Sequence, residues 1–455
     1  MGTSCDRARN RSQDVTSVFP RIDPHAADRS LREASTAANC RTLPLSEGAA
    51  VRSDAAISLE RRRWFLGASV GLRASTVDGV VIAARGRGLE ATVEIVSEGF
   101  VELPKPIAVT LRRHLHGDPL PLSEAAELSR QIAELQTVVV ERLLHEVDLD
   151  ARQVAVGLSG PTAWRKIGDA WAPETVGAPE LVAEATGVTV IDAFAERNVA
   201  AGGTGGPLDA LPLWLLFSPP QWSSAGRPTI AVSFDETIDA YFVPPRRVGV
   251  EIPPIFWSPV APGRLLQDEL EQIQPAAAGK SKFDKVLSDW REIDSLFQPP
   301  IWRPDLFDLA PFAAAADGRV DDSQGEALLR RFWQDQILHA IRADLPTSAA
   351  AQRIVLLGEP LGIDEMAEKI RQKTDLNVET AYDLGWGPRI LGPAVAALLA
   401  FSFLERFPAD VTMLTGSKAA RVLGRATPGS PANWQYCLEQ LATAPSGKMP
   451  LRNAV

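Results

Sequence analysis

The sequence predicts an α/β protein that folds into two lobes with a cleft between them. Strand and helix patterns alternate along the chain, and the alternation begins twice, each time with closely spaced strands. The 455 residues suffice for two or three domains, and with 45% apolar and 23% charged residues the composition is that of a globular protein. Because ligand pockets often form where domains meet, we expect the functional site in the interlobe cleft.

Residues 1–60 differ from the rest of the chain. They are rich in Arg, Ser, Ala and Asp, hold few large apolar side chains and show no helical or strand period. We therefore expect a disordered N-terminal extension. A presequence is the alternative, but the segment lacks the apolar run of a signal peptide, and acids such as Asp6, Asp14 and Asp23 do not fit a transit peptide.

Residues 61–220 are expected to form the N-terminal α/β lobe. Short β-branched runs mark its strands, and Leu, Ile and Val at helical spacing mark a long helix whose N-cap is Ser123. The predicted elements are strands at 65–71, 80–83 and 91–96, a helix from 123 to 144, a strand at 154–157, a helix at 180–186 and a strand at 188–191. Three strands followed by alternating helices and strands are typical of an α/β lobe.

Residues 225–455 are expected to form the C-terminal α/β lobe, in which the same pattern starts again. A hinge between the lobes is predicted at 218–221, where two consecutive prolines interrupt the pattern. The predicted elements are strands at 228–234 and 240–243, helical regions at 263–297 and 322–343, a strand at 353–357, and helices at 364–373 and 393–407.

The charged and sulfur-containing residues exclude several classes of function. With 57 Asp and Glu against 47 Lys and Arg, the formal charge of −10 argues against a nucleic-acid or anionic-membrane partner. Three Cys fit a reducing compartment, and five scattered His make a multi-histidine metal centre unfavourable, so we assign no metal ligands. No segment has the length of a membrane span, and we expect a cytoplasmic protein.

Glycines crowd one segment, residues 196–208, which reads Glu-Arg-Asn-Val-Ala-Ala-Gly-Gly-Thr-Gly-Gly-Pro-Leu. Backbone without side chains lets a sugar or a phosphate approach closely. A flexible loop between the lobes is the alternative interpretation of the same glycines.

The order of several motifs resembles that of the anhydro-N-acetylmuramic acid kinases. The glycine-rich segment is similar to the family's Arg-Asp-Ile/Val-Ala-x-Gly-Gly-x-Gly-Ala-Pro-Leu motif, and it aligns without a gap. Further similar segments, in the family's order, are 159–164, 176–190, 279–283 and 414–417. The resemblance extends from about Trp64 to Pro428.

The resemblance implies a fold, a reaction and a set of site residues. It implies the two-lobed actin-like ATPase fold, a duplicated ribonuclease-H-like unit, and ATP-dependent phosphorylation with hydrolytic ring opening of 1,6-anhydro-N-acetylmuramic acid in cell-wall recycling. ATP and Mg²⁺ are the implied cofactors, and a homodimer is the implied assembly. The implied nucleotide-binding residues are Gly71, Asp78, Gly79, Gly263, Asp268 and Gly358, and the implied substrate-binding residues are Trp164, Gly177, Gly202, Gly203 and Gly205.

The catalytic motif departs from the family's pattern at one decisive position. Asn198 stands where the family has the Asp that activates water. An amide can orient water but cannot take its proton at neutral pH, so a rate contribution of about a hundredfold or more is lost. Asp192 or Glu196 could substitute, but a displacement along the chain usually misses hydrogen-bond reach.

The nucleotide-binding loops depart as well. In the first loop, the hydroxyls expected at positions 70, 72 and 73 are missing, although Ser75 or Thr76 could restore one. The second loop, residues 233–239, has Asp235, Glu236 and Asp239 where the family has glycines and amides. These acids either hold a metal or form a solvent-facing acidic hairpin, and the latter is our expectation.

Near the adenosine position, the family's Gly-Gly-Gly-Ser turn has become Gly358-Glu359-Pro360-Leu361, which removes flexibility and a donor N–H group. Two hypotheses follow from these departures. The chain is either a functioning or weakly functioning anhydro sugar kinase with ATP and Mg²⁺, or a pseudokinase, without these cofactors, that binds a sugar or a partner in the cleft. The missing base favours the second.

Overall fold

The structure is a computed structural model. It describes residues 40–42, 62–70, 74–115, 118–167, 170–218, 228–235, 237–246, 255–263, 322–345, 351–358, 360 and 362–444. The helical region predicted at 263–297 lies outside the described residues except for Gly263, which is not helical. Among the described helices, none is long and apolar enough to cross a membrane.

The first sheet contains seven strands in the order β1-β4-β3-β2-β5-β8-β14. These strands are β1 (Cys40–Thr42), β2 (Arg63–Val70), β3 (Thr76–Arg85), β4 (Thr92–Glu102), β5 (Val154–Ser159), β8 (Thr189–Asp192) and β14 (Arg425–Thr427). Strands β2, β3 and β4 form an antiparallel meander, and β5 and β8 continue the sheet parallel to β2. Its helices are α1 (Lys105–Leu115), α2 (Leu122–Glu146) and α3 (Pro179–Thr186).

The second sheet repeats this topology with five strands in the order β11-β10-β9-β12-β13. These strands are β9 (Thr229–Phe234), β10 (Thr237–Val243), β11 (Phe256–Pro262), β12 (Arg353–Gly358) and β13 (Asn377–Thr380). The first three are antiparallel, and β12 and β13 run parallel to β9. Each sheet thus has the order 3-2-1-4-5, counted from the first strand of its own meander, which is the duplicated ribonuclease-H-like architecture expected for an actin-like ATPase fold.

The two sheets enclose a central apolar layer. This layer contains helix α5 (Ala210–Phe217) and helix α8 (Leu391–Leu404), which pack with side chains from both sheets. Helices α2 and α3 cover the outer face of the first sheet. Helices α6 (Asp322–His339) and α7 (Ile363–Thr374) cover the outer face of the second sheet. The order of layers is therefore helix, sheet, helix, sheet, helix.

The C-terminal part of the chain returns to the first sheet. Helix α8 lies on β2 and β5, where Gly67 and Gly157 let it approach so closely that a Cβ at Gly157 would lie 2.0 Å from the Ala396 carbonyl oxygen. Strand β14 then pairs with β8, and helix α10 (Pro431–Thr443) packs beside it. The lobe boundary between residues 220 and 225 stays a prediction. The structure shows in addition that the C-terminal part of the chain returns to the first sheet.

Smaller elements complete the described chain. They are the hairpin β6 (Thr162–Ile167) and β7 (Ala170–Thr175), helix α4 (Phe194–Ala200), helix α9 (Thr412–Thr415) and a π-helical segment, Ala340–Asp344, that extends α6.

Two expectations differ from the structure. Helix α2 begins at Leu122 with Pro121 at its N-cap, so the N-cap prediction at Ser123 is wrong, because a proline already fixes the turn there. Residues Cys40–Thr42 pair with β4 instead of being disordered.

The close approach of α8 predicts a severe effect of Gly157→Ala. The new methyl group would meet backbone atoms of α8, which cannot move aside as a flexible side chain can. We expect a loss of about 2 kcal/mol or more in the free energy of unfolding, measured by urea denaturation. Gly385→Ala is the matched control, because Gly385 has a φ of +75° but no atom within 4 Å of a built Cβ, so it tests backbone strain alone. Equal losses in the two variants would contradict the packing explanation.

Candidate functional site

A cleft of about 340 Å³ lies between the two sheets. Its walls come from the ends of the central strands in both halves of the fold, with Ser69 on β2, Ser159 on β5, Ser233 on β9 and Gly358 on β12. Helix α8 supplies Gly392 and further apolar side chains on the side between the sheets. The carboxyl ends of parallel strands are the usual ligand-binding edge of open α/β sheets, so the cleft is the candidate site.

Asn198 lies beside this cleft but does not line it. It is carried by α4, which follows β8, and its side chain is 1% exposed. Its amide Oδ1 accepts a hydrogen bond from the Gly205 N–H group (2.9 Å), and its Nδ2 donates to Thr415 Oγ1 (3.1 Å). The amide therefore joins the glycine-rich turn to the turn at 414–417, and both of its polar atoms are used for that purpose.

The glycines of the motif have separate structural roles. Gly205 lines the cleft at a φ of +93°, and a Cβ there would lie 2.3 Å from Cη2 of Trp164. Gly203 leaves room for the Asn198 amide, because a Cβ would lie 2.2 Å from Oδ1. Gly202, at a φ of +86°, lies against Lys418. Of the predicted substrate-binding residues, Trp164 and Gly205 line the cleft, whereas Gly177, Gly202 and Gly203 do not.

The predicted nucleotide-binding residues are also divided. Asp78 and Gly358 line the cleft. Gly79 faces helix α2, where a Cβ would lie 2.3 Å from Val139 Cγ1, and Gly263 is buried outside the cleft. Gly71 and Asp268 lie outside the described residues. A binding role for any of these residues stays a prediction.

The two carboxylates closest in sequence to Asn198 have different surroundings. Asp192 is paired with Arg425 at 2.6 Å, and burial raises the pKa of its carboxyl while this guanidinium opposes the rise. Glu196 lines the cleft and accepts a hydrogen bond from the Thr175 hydroxyl. Of the two, only Glu196 reaches the cleft.

The second hairpin does not present a fully solvent-facing acidic surface. Asp239 is 7% exposed, accepting hydrogen bonds from Trp257 Nε1 (2.8 Å) and Thr237 Oγ1 (2.5 Å). The expectation of a solvent-facing acidic hairpin is thus wrong for Asp239, because a buried tryptophan and a threonine hold its carboxylate inward. Asp235 lines the cleft, and Glu236 lies outside the described residues. Within the described ranges, no group of three His, Cys, Asp or Glu side chains could hold a metal.

The first hairpins of the two sheets carry the same arrangement of polar side chains. In the first sheet, Ser69 on β2 is in register with Asp78 on β3, and Thr76 Oγ1 donates to Asp78 Oδ2 at 3.2 Å. In the second sheet, Ser233 on β9 is in register with Asp239 on β10, which is bonded to Thr237 two residues before it. All six side chains line the cleft. Sequence reasoning missed this repeat, although Thr-x-Asp near the second strand of each lobe was a visible signal.

Two further residues of the site were missed. Tyr241 on β10 is fully buried, and its hydroxyl donates to Asp209 Oδ2 at 3.1 Å. Asp209 directly precedes α5, and nothing in the glycine-rich motif marks it. Burial raises the pKa of Asp209 and that of Asp239 to about 6, and burial with these two negative charges raises the pKa of Tyr241 well above its usual range.

The part of the cleft lining that the structure describes is therefore predominantly acidic. The carboxylates that line it are Asp78, Glu196, Asp209, Asp235 and Asp239. Among the described lining residues, Arg389 is the cation, and its guanidinium lies 4.5 Å from the ring centroid of Phe100. Like charges a few ångströms apart repel by about 1 to 4 kcal/mol, depending on the dielectric. These carboxylates repel the phosphates of ATP, and a Mg²⁺ ion bound beside them would have to be shared with the phosphates, because no group of three His, Cys, Asp or Glu side chains among the described residues could hold it alone.

The raised pKa of Asp239 predicts a pH-dependent stability difference for Asp239→Asn. A carboxyl with a folded pKa above its unfolded value destabilises the fold when ionised, so this cost is present above about pH 6 and absent near pH 4. An asparagine keeps an acceptor for Trp257 and carries no charge. We expect the variant to be more stable by about 2–3 kcal/mol at pH 8 and equal to wild type at pH 4, in urea unfolding. Asp364→Asn, at an exposed helix start, is the control and should show no such pH dependence.

Comparisons with known sequences relate this chain to one family of kinases. The family model described as anhydro-N-acetylmuramic acid kinase matches residues 64–225. A relative named anhydro-N-acetylmuramic acid kinase from Bordetella pertussis is 28% identical over 384 residues, covering 80% of this chain and 96% of that protein. A relative of the same name from Bordetella petrii is 25% identical over 386 residues with the same coverage.

Solved structures with a similar arrangement have low identity. Component A of the (R)-2-hydroxyglutaryl-CoA dehydratase of Acidaminococcus fermentans aligns with 75% of this chain and 98% of its own, at 12% identity and a TM-score of 0.34. The inorganic polyphosphate/ATP-glucomannokinase of Arthrobacter sp. strain KM aligns with 74% of this chain and 98% of its own, at 12% identity and a TM-score of 0.28. Scores this low support no functional argument. The family match over residues 64–225 and the relatives that span most of the chain support the anhydro-N-acetylmuramic acid kinase family as the one to which this protein is similar.

Proposed function

We propose that this chain is a homologue of the anhydro-N-acetylmuramic acid kinases that binds a sugar in the interlobe cleft but does not catalyse ATP-dependent phosphoryl transfer. The observation that carries the proposal is the environment of Asn198. Its amide occupies the position of the family's general base, yet both polar atoms are bonded within the protein and the side chain does not line the cleft. General-base catalysis from this position requires a proton acceptor that touches the reacting water.

The nucleotide side of the cleft supports the same proposal. Asp235 and Asp239 stand on the hairpin where the family's second phosphate loop has glycines and an amide. A polyphosphate bound there would meet carboxylates instead of backbone N–H groups, and the repulsion would have to be overcome by other contacts.

The sugar side of the cleft keeps features that suit a small polar ligand. Trp164 lines the cleft beside Gly205 and offers an aromatic surface for a sugar ring. The segment 159–162 adds a strand end and hydroxyl groups next to it. A concave cavity of about 340 Å³ has the size of a small-molecule site, which favours a sugar over a protein partner as the occupant. A homodimer and a cytoplasmic location remain predictions.

Thermal unfolding with and without Mg-ATP tests the proposal. We expect no shift of the melting temperature at millimolar Mg-ATP, because no binding means no linkage to stability. A clear stabilisation at sub-millimolar Mg-ATP, together with phosphorylation of 1,6-anhydro-N-acetylmuramic acid, would overturn the proposal.

The variant Asn198→Asp tests whether the missing base alone explains the loss. Its carboxylate would still accept from Gly205, and the Thr415 hydroxyl would donate to it in place of its present bond to the Val411 carbonyl oxygen, so we expect a folded protein. We expect no ATP-dependent phosphorylation of the anhydro sugar, because the acidic second hairpin is unchanged. The measurement is transfer of radiolabelled phosphate to the sugar, and turnover by the variant would show that the nucleotide site is intact.

A further inference from the structure

Each of the two hairpins that line the cleft contributes a buried serine to its wall. Ser69 is 7% exposed and Ser233 is 3% exposed, and both line the cleft at the ends of β2 and β9. Neither hydroxyl forms a hydrogen bond with another residue in the described part of the chain, whereas the threonines beside them are bonded to Asp78 and Asp239. A buried hydroxyl that lines a cavity in this way is available to a ligand.

The charge of the cleft restricts which ligand this is. Carboxylates accept hydrogen bonds and donate none when ionised, so they favour ligand groups that are rich in donors. Hydroxyl groups satisfy this requirement, and an ammonium group satisfies it with three donors and a positive charge. An anionic ligand would meet the carboxylates of Glu196, Asp209 and Asp239.

We propose that the cleft selects a hexosamine whose amino group is free and positively charged, and that the Ser–Asp pairs of the two hairpins bind its ammonium and hydroxyl groups. The inference rests on the proposed function, since it takes the cleft as a sugar site without phosphoryl transfer, and it names the class of sugar. N-acetylation removes the charge, and the lactyl carboxylate of a muramic acid adds a charge of the wrong sign. The selected ligand therefore differs from the one in the names of the Bordetella relatives.

The ionisation of the cleft makes the selectivity depend on pH. Asp239 interacts electrostatically with Asp209, which precedes α5. The other titratable or charged groups that line the cleft with it are Asp78, Glu196, Asp235, Tyr241 and Arg389. Protonation of the Asp209 and Asp239 carboxyl groups, whose pKa values are about 6, removes negative charge from the cleft as the pH falls. Attraction for an ammonium group therefore weakens between pH 7 and pH 5, while a neutral sugar is little affected.

Isothermal titration of the full chain with four sugars at pH 7.0 tests the inference. Glucosamine is cationic, N-acetylglucosamine neutral, muramic acid zwitterionic and N-acetylmuramic acid anionic. These four ligands separate the effect of the amine from that of the carboxylate. We expect glucosamine to bind about tenfold or more tighter than N-acetylglucosamine, and N-acetylmuramic acid to bind most weakly, because a hydrogen bond to a charged group is worth more than a neutral one. Lowering the pH to 5 should reduce the preference for glucosamine, because Asp209 and Asp239 become protonated.

Three variants localise the effect. Ser233→Ala and Asp239→Asn should each reduce the preference for glucosamine, measured as the dissociation constant of N-acetylglucosamine divided by that of glucosamine. Ser69→Ala should reduce this ratio from the other hairpin. Ser123→Ala, an exposed serine on α2, is the matched control and should leave the ratio unchanged. Circular dichroism of each variant checks that the fold is retained.

The outcomes separate the inference from the proposed function. Tighter binding of N-acetylmuramic acid than of glucosamine, or no binding of any of the four sugars, would overturn the inference. An unchanged ratio in all three folded cleft variants would overturn the assignment to the hairpins. Phosphorylation of a sugar with ATP would overturn the proposed function, whichever sugar binds best.

Discussion

The close contact between helix α8 and the first sheet determines how the rest of the molecule is assembled. Gly67 and Gly157 lie side by side on adjacent parallel strands, and α8 rests on both so closely that neither position has space for a methyl group. Helix α8 follows β13, so this contact returns the chain from the second sheet to the first. The same helix lines the cleft with Gly392, whose missing side chain leaves room for Ser69. The distance between sheets, and with it the width of the cleft, therefore depends on glycines far from the glycine-rich motif.

A buried ion pair fixes the far end of this helix. Glu405, which follows α8, accepts hydrogen bonds from Arg63 on β2, from Arg87 Nη1 at 3.1 Å and from the Gly88 N–H group at 2.6 Å. Burial lowers the pKa of Arg63, while the charge of Glu405 opposes that shift. A buried pair contributes little net stability when complete, but removal of one partner leaves an uncompensated charge at a cost of about 3–5 kcal/mol. Such an interaction determines the position of the helix more than it adds to the stability of the fold.

The sequence predicted the repeated part of the fold better than the parts that break the repeat. The meander strands and the alternating strands and helices have strong local periods, and the structure contains them near the predicted bounds. Helix α5 was missed because it is apolar on all sides, as a helix between two sheets must be, so it has no amphipathic period. Strand β14 was missed because its three residues are too few to show a pattern. Its partner strand, β8, is also distant in sequence, with 233 residues between Asp192 and Arg425, which lie opposite each other. Trp164 and Asp78 were placed in the site through resemblance, whereas Asp209 and Tyr241 meet only through tertiary packing.

The buried carboxylates of the cleft favour a changed ligand over simple decay of a kinase site. A raised carboxyl pKa means that the folded state is less stable with that group ionised, so Asp209 and Asp239 lower the stability at neutral pH. Random loss of a phosphate site requires only that glycines and hydroxyls disappear. It does not require that Trp257 and Thr237 donate hydrogen bonds to the Asp239 carboxylate, in an arrangement that repeats the Thr76–Asp78 hydrogen bond of the first sheet. Perturbed carboxyl groups that are positioned by specific donors cluster at functional sites. The arrangement at the second hairpin therefore fits a cleft in which negative charge has a use, and a positively charged sugar is a ligand that would use it.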